Sequence, residues 1–375
     1  MNLDIQLHAV SRGYDGMTCW VQARGGHIPA SHTGSGNSND RFIVTMQKLL
    51  LIGSDVFYAI HTAESDDRGL TWSTPRDEPS FQRINLGEHR EVAVCDFTPT
   101  WHAQTGVMLG TGHTAFYQHN KIPHGNRPRA TPYSIYDPAA RQWQPWRELE
   151  MPAGEKFSNA GAGCTQRVDL DDGRILLPIY FRVGDPYKLA ATVVECDFDG
   201  KTMTYRRHGD EVTTAGARGV AEPSLATCNG RYFLTLRSDE TGWITASDDG
   251  LHYGPLRPWT FDDGSPLGNY NTQQHWVTRA GKLYLVYTRR GLNNDHVFRH
   301  RAPLLIAEVN QRDLTVIRST ERVVVPERGA RIGNFGVVPV SDDETWIVAA
   351  EWMQPRGCDR WGSDNTVWAA RLAWQ

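Results

Sequence analysis

The sequence predicts an all-β chain folded as a six-bladed β-propeller, with four antiparallel strands per blade and a single domain over residues 1–375. Two observations carry this. A turn followed by a short apolar run ending on a polar or charged residue occurs six times: "KLLLIGSD" (48–55), "TGVMLGTGH" (105–113), "DGRILLPIYFR" (172–182), "NGRYFLTLR" (229–237), "AGKLYLVYTRR" (280–290) and "DETWIVAAEW" (343–352). The copies recur roughly every 50 to 65 residues, in or just above the range typical of propellers and solenoids. The runs are also too short for typical helices and rich in Leu, Ile, Val and Tyr, and no long helical pattern occurs.

Each run follows another strand-like segment. In order these are "DRFIVTMQ" (40–47), "FTPTWHAQ" (97–104), "GCTQRVDL" (163–170), "EPSLATC" (222–228), "TQQHWVTR" (272–279) and "NFGVVPV" (334–340). Later strands follow, including "VFYAIHTAES" (56–65), "LAATVVECDF" (189–198), "GWITASD" (242–248), "PLLIAEVN" (303–310) and "TVWAARLAW" (366–374). The leading "LDIQLHAV" (3–10) is expected to complete the last blade and clasp the ring shut. Radial closure of this kind leaves few free strand edges.

Composition narrows the class. The chain of 375 residues has ample length for a buried core, and its 13 Trp, 35 Gly and 20 Pro suit a turn-rich β protein with aromatic pockets. A formal charge of -4 and a pI near 6.4 argue against a nucleic-acid binder, which needs a basic face. Cys19, Cys95, Cys164, Cys196, Cys228 and Cys358 are scattered without a C-x-x-C pair, as expected of free core thiols. No apolar run of about 18 residues suggests a membrane span. "MNLDIQLHAV" lacks the basic segment and long apolar core of a signal peptide, so a cytoplasmic location is expected, or a secreted or periplasmic one where a signal has been removed. No cofactor is implied, and the oligomeric state is not legible.

"AESDDRGLTWSTP" (63–75) contains Ser65-x-Asp67-x-Gly69-x-x-Trp72. Ser and Asp side chains bond nearby backbone, Gly allows a tight turn and Trp packs over it, so a structural hairpin is expected. "ASDDGLHY" (246–253) reads as a weaker copy, with Asp248, Gly250 and Tyr253 at the same offsets and Ala246 in place of the serine. Both motifs resemble the Asp-boxes of the sialidase-like propeller superfamily. "AEPSLATCNGRYFLTLRSD" (221–239) resembles the fourth-blade signature of sialidases, with Glu222 and Arg237 in the glutamate and arginine positions. "DRFIVT" (40–45) resembles their early arginine motif, with Arg41 in the arginine position. The resemblance implies that the Asp-boxes tie the third and fourth strands together on the rim away from substrate.

In such a ring the starts of first strands and the ends of second strands converge on one face. First-strand starts offer Arg41, Asp96, Gln166, Glu222, Gln273, Gln274, His275 and Asn334; second-strand ends offer Asp55, His113, Arg182, Arg237, Asp239, Arg289, Arg290 and Glu351. Arginine grips carboxylate or sulfate with a rigid fork of donors, so the expected ligand is an acidic oligosaccharide or glycoconjugate. Bland alternatives stay open. Arg41 and Arg237 could pair with Asp40 and Asp239, Glu222 could cap a loop, and "GNYNTQQHWV" (268–277) could be a satisfied polar core layer. The loops 113–129 and 289–301 are long, basic and rich in His, without a carboxylate cluster or H-x-x-x-H helix to suggest a metal.

The sialidase pattern implies a third arginine opening the fifth blade and a tyrosine opening the sixth. Those places read "YNTQQHW" and "GNFGVV", the latter with Phe335, and the first-blade loop "IGSDVFY" keeps Asp55 as its only carboxylate. Three functions remain. One is a glycoside hydrolase for an acidic sugar other than a simple sialoside, with Glu222 and Asp55 as its carboxylate pair. The second is a polysaccharide lyase, in which an Arg or amide neutralises a uronate and His275, His113 or Tyr270 removes the adjacent proton. The third is a non-catalytic carbohydrate-binding propeller.

Overall fold

The computed structural model describes residues 2–34, 39–53, 55–123, 127–184 and 188–375; Ser54 and part of the 113–129 loop lie outside the described residues. Six antiparallel sheets follow one another along the chain as blades. Blade 1 runs Thr18–Ile28, Arg41–Leu50, Phe57–Ser65 and Arg76–Asp77; blade 4 runs Ala221–Cys228, Arg231–Arg237, Gly242–Ser247 and Arg257–Pro258. In blades 2 and 5 two short segments share the outer position, and in blade 3 Ala160–Gly161 and Val168–Asp169 share the inner one.

Blade 6 closes the ring as the sequence predicts. Leu3–Arg12 pairs antiparallel with Thr366–Trp374, from Leu3 opposite Trp374 to Arg12 opposite Thr366. Second strands such as Glu344–Ala350 are buried along their whole length. Their apolar side chains pack against the next blade on either face, as where Tyr284 and Val286 of blade 5 meet Ile347 and Ala349 of blade 6. All six cysteines are buried and free. Among the described residues no helix is long and apolar enough to cross a membrane.

The first blade departs from the expected strand order. "DRFIVTMQ" and "KLLL" form one strand, Arg41–Leu50, which is the second of its blade; the innermost is Thr18–Ile28. Arg41 therefore begins a second strand rather than a first, at the end of the ring opposite Glu222.

The first Asp-box is a self-bonded turn. Ser65 Oγ accepts from Gly69 N (2.8 Å), and Asp67 Oδ1 accepts from Thr71 N (2.9 Å), with Gly69 at φ +82°. The second uses different residues from those expected. Ser247 Oγ accepts from Gly250 N (2.9 Å) and Asp249 Oδ1 from His252 N (2.8 Å), while Asp248 points to solvent. One residue fewer separates carboxylate and glycine there, which shifts the register by one. Both turns join third to fourth strands.

Candidate functional site

Inner strands repeat one device. The pairing slips between Val21 and Arg24, between Cys95 and Thr98, and between Ala221 and Ser224. Within these bulges Gln22, Asp96 and Glu222 adopt left-handed backbone (φ 54°, 49° and 48°), and Cys164 of blade 3 does likewise (φ 57°). A bulge re-aims a side chain, here at a cost of about 1–3 kcal/mol per strained residue. Gln22, Asp96 and Glu222 all face one cavity of about 730 Å³.

Among the described residues eight arginines line this cavity (127, 129, 182, 218, 237, 299, 301 and 331) against four carboxylates, Asp55, Asp96, Glu222 and Asp239. Arg237, at the end of its strand, pairs with Glu222 Oε1 and also bonds Asn271 Oδ1. Burial pushes Glu222 up, but Arg237, Arg301 and Arg218 outweigh it and hold the carboxyl below its ordinary value. Asp96 has the opposite fate: burial raises it to about 6 although its Oδ1 lies 3.3 Å from Arg24 Nη2. Two carboxyls in one cavity are thus driven apart in acidity.

His113 lies beside this pair, with Nε2 4.0 Å from Asp96 Oδ2 and Nδ1 3.4 Å from the Tyr180 hydroxyl. Burial and Arg129 lower it to about 3, so the ring is neutral at ordinary pH. The Arg129 guanidinium stacks 4.1 Å above Tyr180. Space for His113 comes from "NAGAGC" (159–164): a Cβ at Gly163 would fall 1.7 Å from His113 Nδ1. Gly163→Ala is expected to swing His113 off Tyr180 and to cost about 1–3 kcal/mol by overpacking. Chemical denaturation and a crystal structure of the variant check this, and an unmoved ring at unchanged stability would contradict it.

Of the residues singled out from sequence, Glu222, Asp55, Asp96, His113, Arg182, Arg237, Asp239 and Asn334 line the cavity, with Asp55 exposed at its lip. The others do not. Arg41 bonds Asp66 Oδ1 (2.7 Å) and the Pro138 carbonyl beside the first Asp-box, because its strand runs the other way. His275 is buried in a polar layer, with Nδ1 2.7 Å from Ser224 Oγ and Nε2 2.8 Å from Gln273 Nε2, and burial lowers it to about 3. Gln273 accepts from Arg24 Nη2 (2.9 Å). Gln274 bonds Thr235 and the Thr272 carbonyl, and Gln166 clamps the Trp276 backbone through N–H and C=O (2.8 and 3.0 Å). Gln273, Gln274 and His275 thus belong to a bonded polar core layer, whereas Asn269 of the same segment is buried with neither polar side-chain atom bonded and Asn271 accepts from Arg237. Tyr270 bonds His300 Nδ1 (2.7 Å) beneath Arg290, and Arg289 forks onto Glu321 (2.7 and 2.9 Å).

The fifth blade does supply an arginine, but by another route. Arg301 comes from the loop between the second and third strands, is 4% exposed, and sends Nη2 to the Asn271 carbonyl. Arg331 enters from the link into blade 6, stacked 3.9 Å from Trp352. Phe335 is fully buried, edge-on to His275, and its neighbour Asn334 faces the cavity instead. At the other mouth of the ring a cavity of about 620 Å³ is lined mainly by strand ends such as Gly25, Pro99 and Val338.

No family model matches the sequence, and no curated protein matches it. Solved structures do match in shape. A protein of unknown function from Dyadobacter fermentans aligns over 100% of both chains at 12% identity and a TM-score of 0.63. The NanB sialidase from Streptococcus pneumoniae aligns over 98% of this chain and 70% of its own at 11% identity and 0.63. A Hadza microbial sialidase aligns over 95% and 66% at 12% identity and 0.61.

Proposed function

We propose, for a chain that has the six-bladed fold of the sialidases, an enzyme that hydrolyses a glycan next to a carboxylate-bearing sugar. The observation that carries this reading is one cavity with eight arginines and two carboxyls driven apart in acidity. Arginines hold the substrate's anion. Asp96 keeps its proton up to about pH 6 and gives it to the leaving glycosidic oxygen. Glu222, ionised, takes a proton from water as the water oxygen bonds the anomeric carbon and the glycosidic C–O bond breaks. With phenylalanine at 335, a simple sialoside is expected to be a poor substrate. Asp55 at the lip is the competing acid, and Asp55→Asn beside Asp96→Asn separates the two.

His113 and Tyr180 favour a second reading, elimination from a uronate. A carboxylate neutralised by arginine acidifies its neighbouring C–H. Neutral His113 takes that proton, a C=C bond forms, the glycosidic C–O bond breaks, and the Tyr180 hydroxyl protonates the leaving oxygen.

Acidic oligosaccharides distinguish the two. Hydrolysis adds one water mass to the products. Elimination adds none and leaves an unsaturated uronate that absorbs in the ultraviolet. Acidity gives an independent check. A carboxyl raised to about 6 is protonated below that pH and loses its proton above it, so hydrolysis should fall about tenfold per pH unit beyond 6. Elimination through a histidine already neutral above about 3 should show no such fall from His113. A rate that does not fall above pH 6, together with unsaturated products, would overturn the hydrolase.

A further inference from the structure

We propose that the cavity holds two anionic groups at once, so that the substrate unit carries a second anion besides its carboxylate; this rests on the glycan reading above. The arginines fall on facing walls. Arg127 and Arg129 come from the link after the second strand of blade 2, and Arg129 lies against Tyr180 of blade 3. Arg299 and Arg301 come from the corresponding link of blade 5, and Arg331 from the link into blade 6. In a ring of six, blade 2 faces blade 5 and blade 3 faces blade 6. Glu222 of blade 4 stands between the walls and acts electrostatically on both Arg129 and Arg301.

Neither wall has a directly paired carboxylate among the described residues, although Asp55 acts on Arg331 from the lip. Among the described residues, none of Arg127, Arg129, Arg299, Arg301 and Arg331 has a carboxylate within 4.0 Å, whereas Arg237 has Glu222 and Arg218 has Asp239 at 3.4 Å. The Nε atoms of Arg129, Arg301 and Arg331 are buried without a hydrogen-bond partner. Burial and neighbouring arginines lower all three, Arg331 to about 10. Clustered positive charge is relieved by an anion, and one anion cannot fork onto opposite walls. A single carboxylate would leave the other wall's positive charge without a counter-charge. The second group is an O-sulfate on the same sugar or the carboxylate of the next one; both present oxygens in the same planar or tetrahedral reach of a guanidinium.

Crystals of the full chain soaked in sodium selenate test this by anomalous scattering. Two peaks are expected in the cavity, one at Arg129 and one at Arg301 and Arg331. Arg129→Gln should remove only the first and Arg331→Gln only the second; the melting temperature of each variant confirms folding. One shared peak, or none, overturns the inference. Oligogalacturonate and sulfated and unsulfated chondroitin oligosaccharides then identify the source. Doubly anionic units should have KM values about ten- to a hundredfold below singly anionic ones. Equal KM values overturn the inference too. Loss of turnover on every acidic glycan, with both selenate peaks present, would instead overturn the hydrolase reading alone.

Discussion

Glu222→Gln is expected to lower kcat about a hundredfold to ten-thousandfold, the range a general base contributes, with KM nearly unchanged. The amide oxygen can still accept the bond that Arg237 now gives to Oε1, so the substrate-binding frame persists. What disappears is the negative charge that, on the proposed hydrolase reading, takes the proton from water. Stability should fall by less than the ~3–5 kcal/mol seen when a partner of a buried pair is deleted outright. Steady-state kinetics and thermal melts decide it. Full activity in the variant would remove Glu222 from the chemistry and transfer the reaction to His113 and Tyr180. Unfolding would make the residue a structural one.

The same residue explains what sequence could give. Glu222 and Arg237 sit at the start of one strand and the end of the next, directly beside the register pair Ala221–Arg237. A turn between two apolar runs therefore suffices to bring them together. The blades were legible for a similar reason, since second strands are buried on both faces and read as continuous apolar runs.

The failures have a physical cause as well. Thr18–Ile28 carries Gln22, Arg24 and two glycines because it is an inner strand beside the polar shaft, so its hydrophobic signal is broken. Without that signal the apolar run Arg41–Leu50 reads as the start of blade 1, although it is the second strand of its blade. His275 and its neighbouring amides look like a site for the same reason that makes them core. A buried shaft of polar groups must be mutually bonded, and its composition resembles that of a pocket wall. Arg129 and Arg301 lie in links without periodicity, where only a basic composition pointed toward them, and the link that carries Arg331 gave no signal. Tyr180 is an apolar-run residue that gave no sign of facing the cavity.

Arg301→Met is expected to separate function from stability most sharply. Arg301 is almost wholly buried, has no carboxylate within 4.0 Å among the described residues, and is held well below its ordinary pKa by burial, Arg237 and Arg331. Its charged form is therefore a cost to the folded protein that an anionic substrate relieves. Methionine fills much of the same volume without charge, and such replacements of buried charge are often neutral or stabilising. The variant gives up the Arg301 bonds to the Asn271 carbonyl and to Asn334 Oδ1 (3.5 Å), which limits the gain. The melting temperature should stay level or rise. Two charge-assisted bonds to the substrate anion are worth about 1.5–3 kcal/mol each, so kcat/KM on an acidic glycan should fall by about two to four powers of ten. Such a trade of activity for stability marks a residue kept for binding. A variant that melts well below the parent while retaining its kcat/KM would show that Arg301 holds the fifth and sixth blades together and leaves the anion to others.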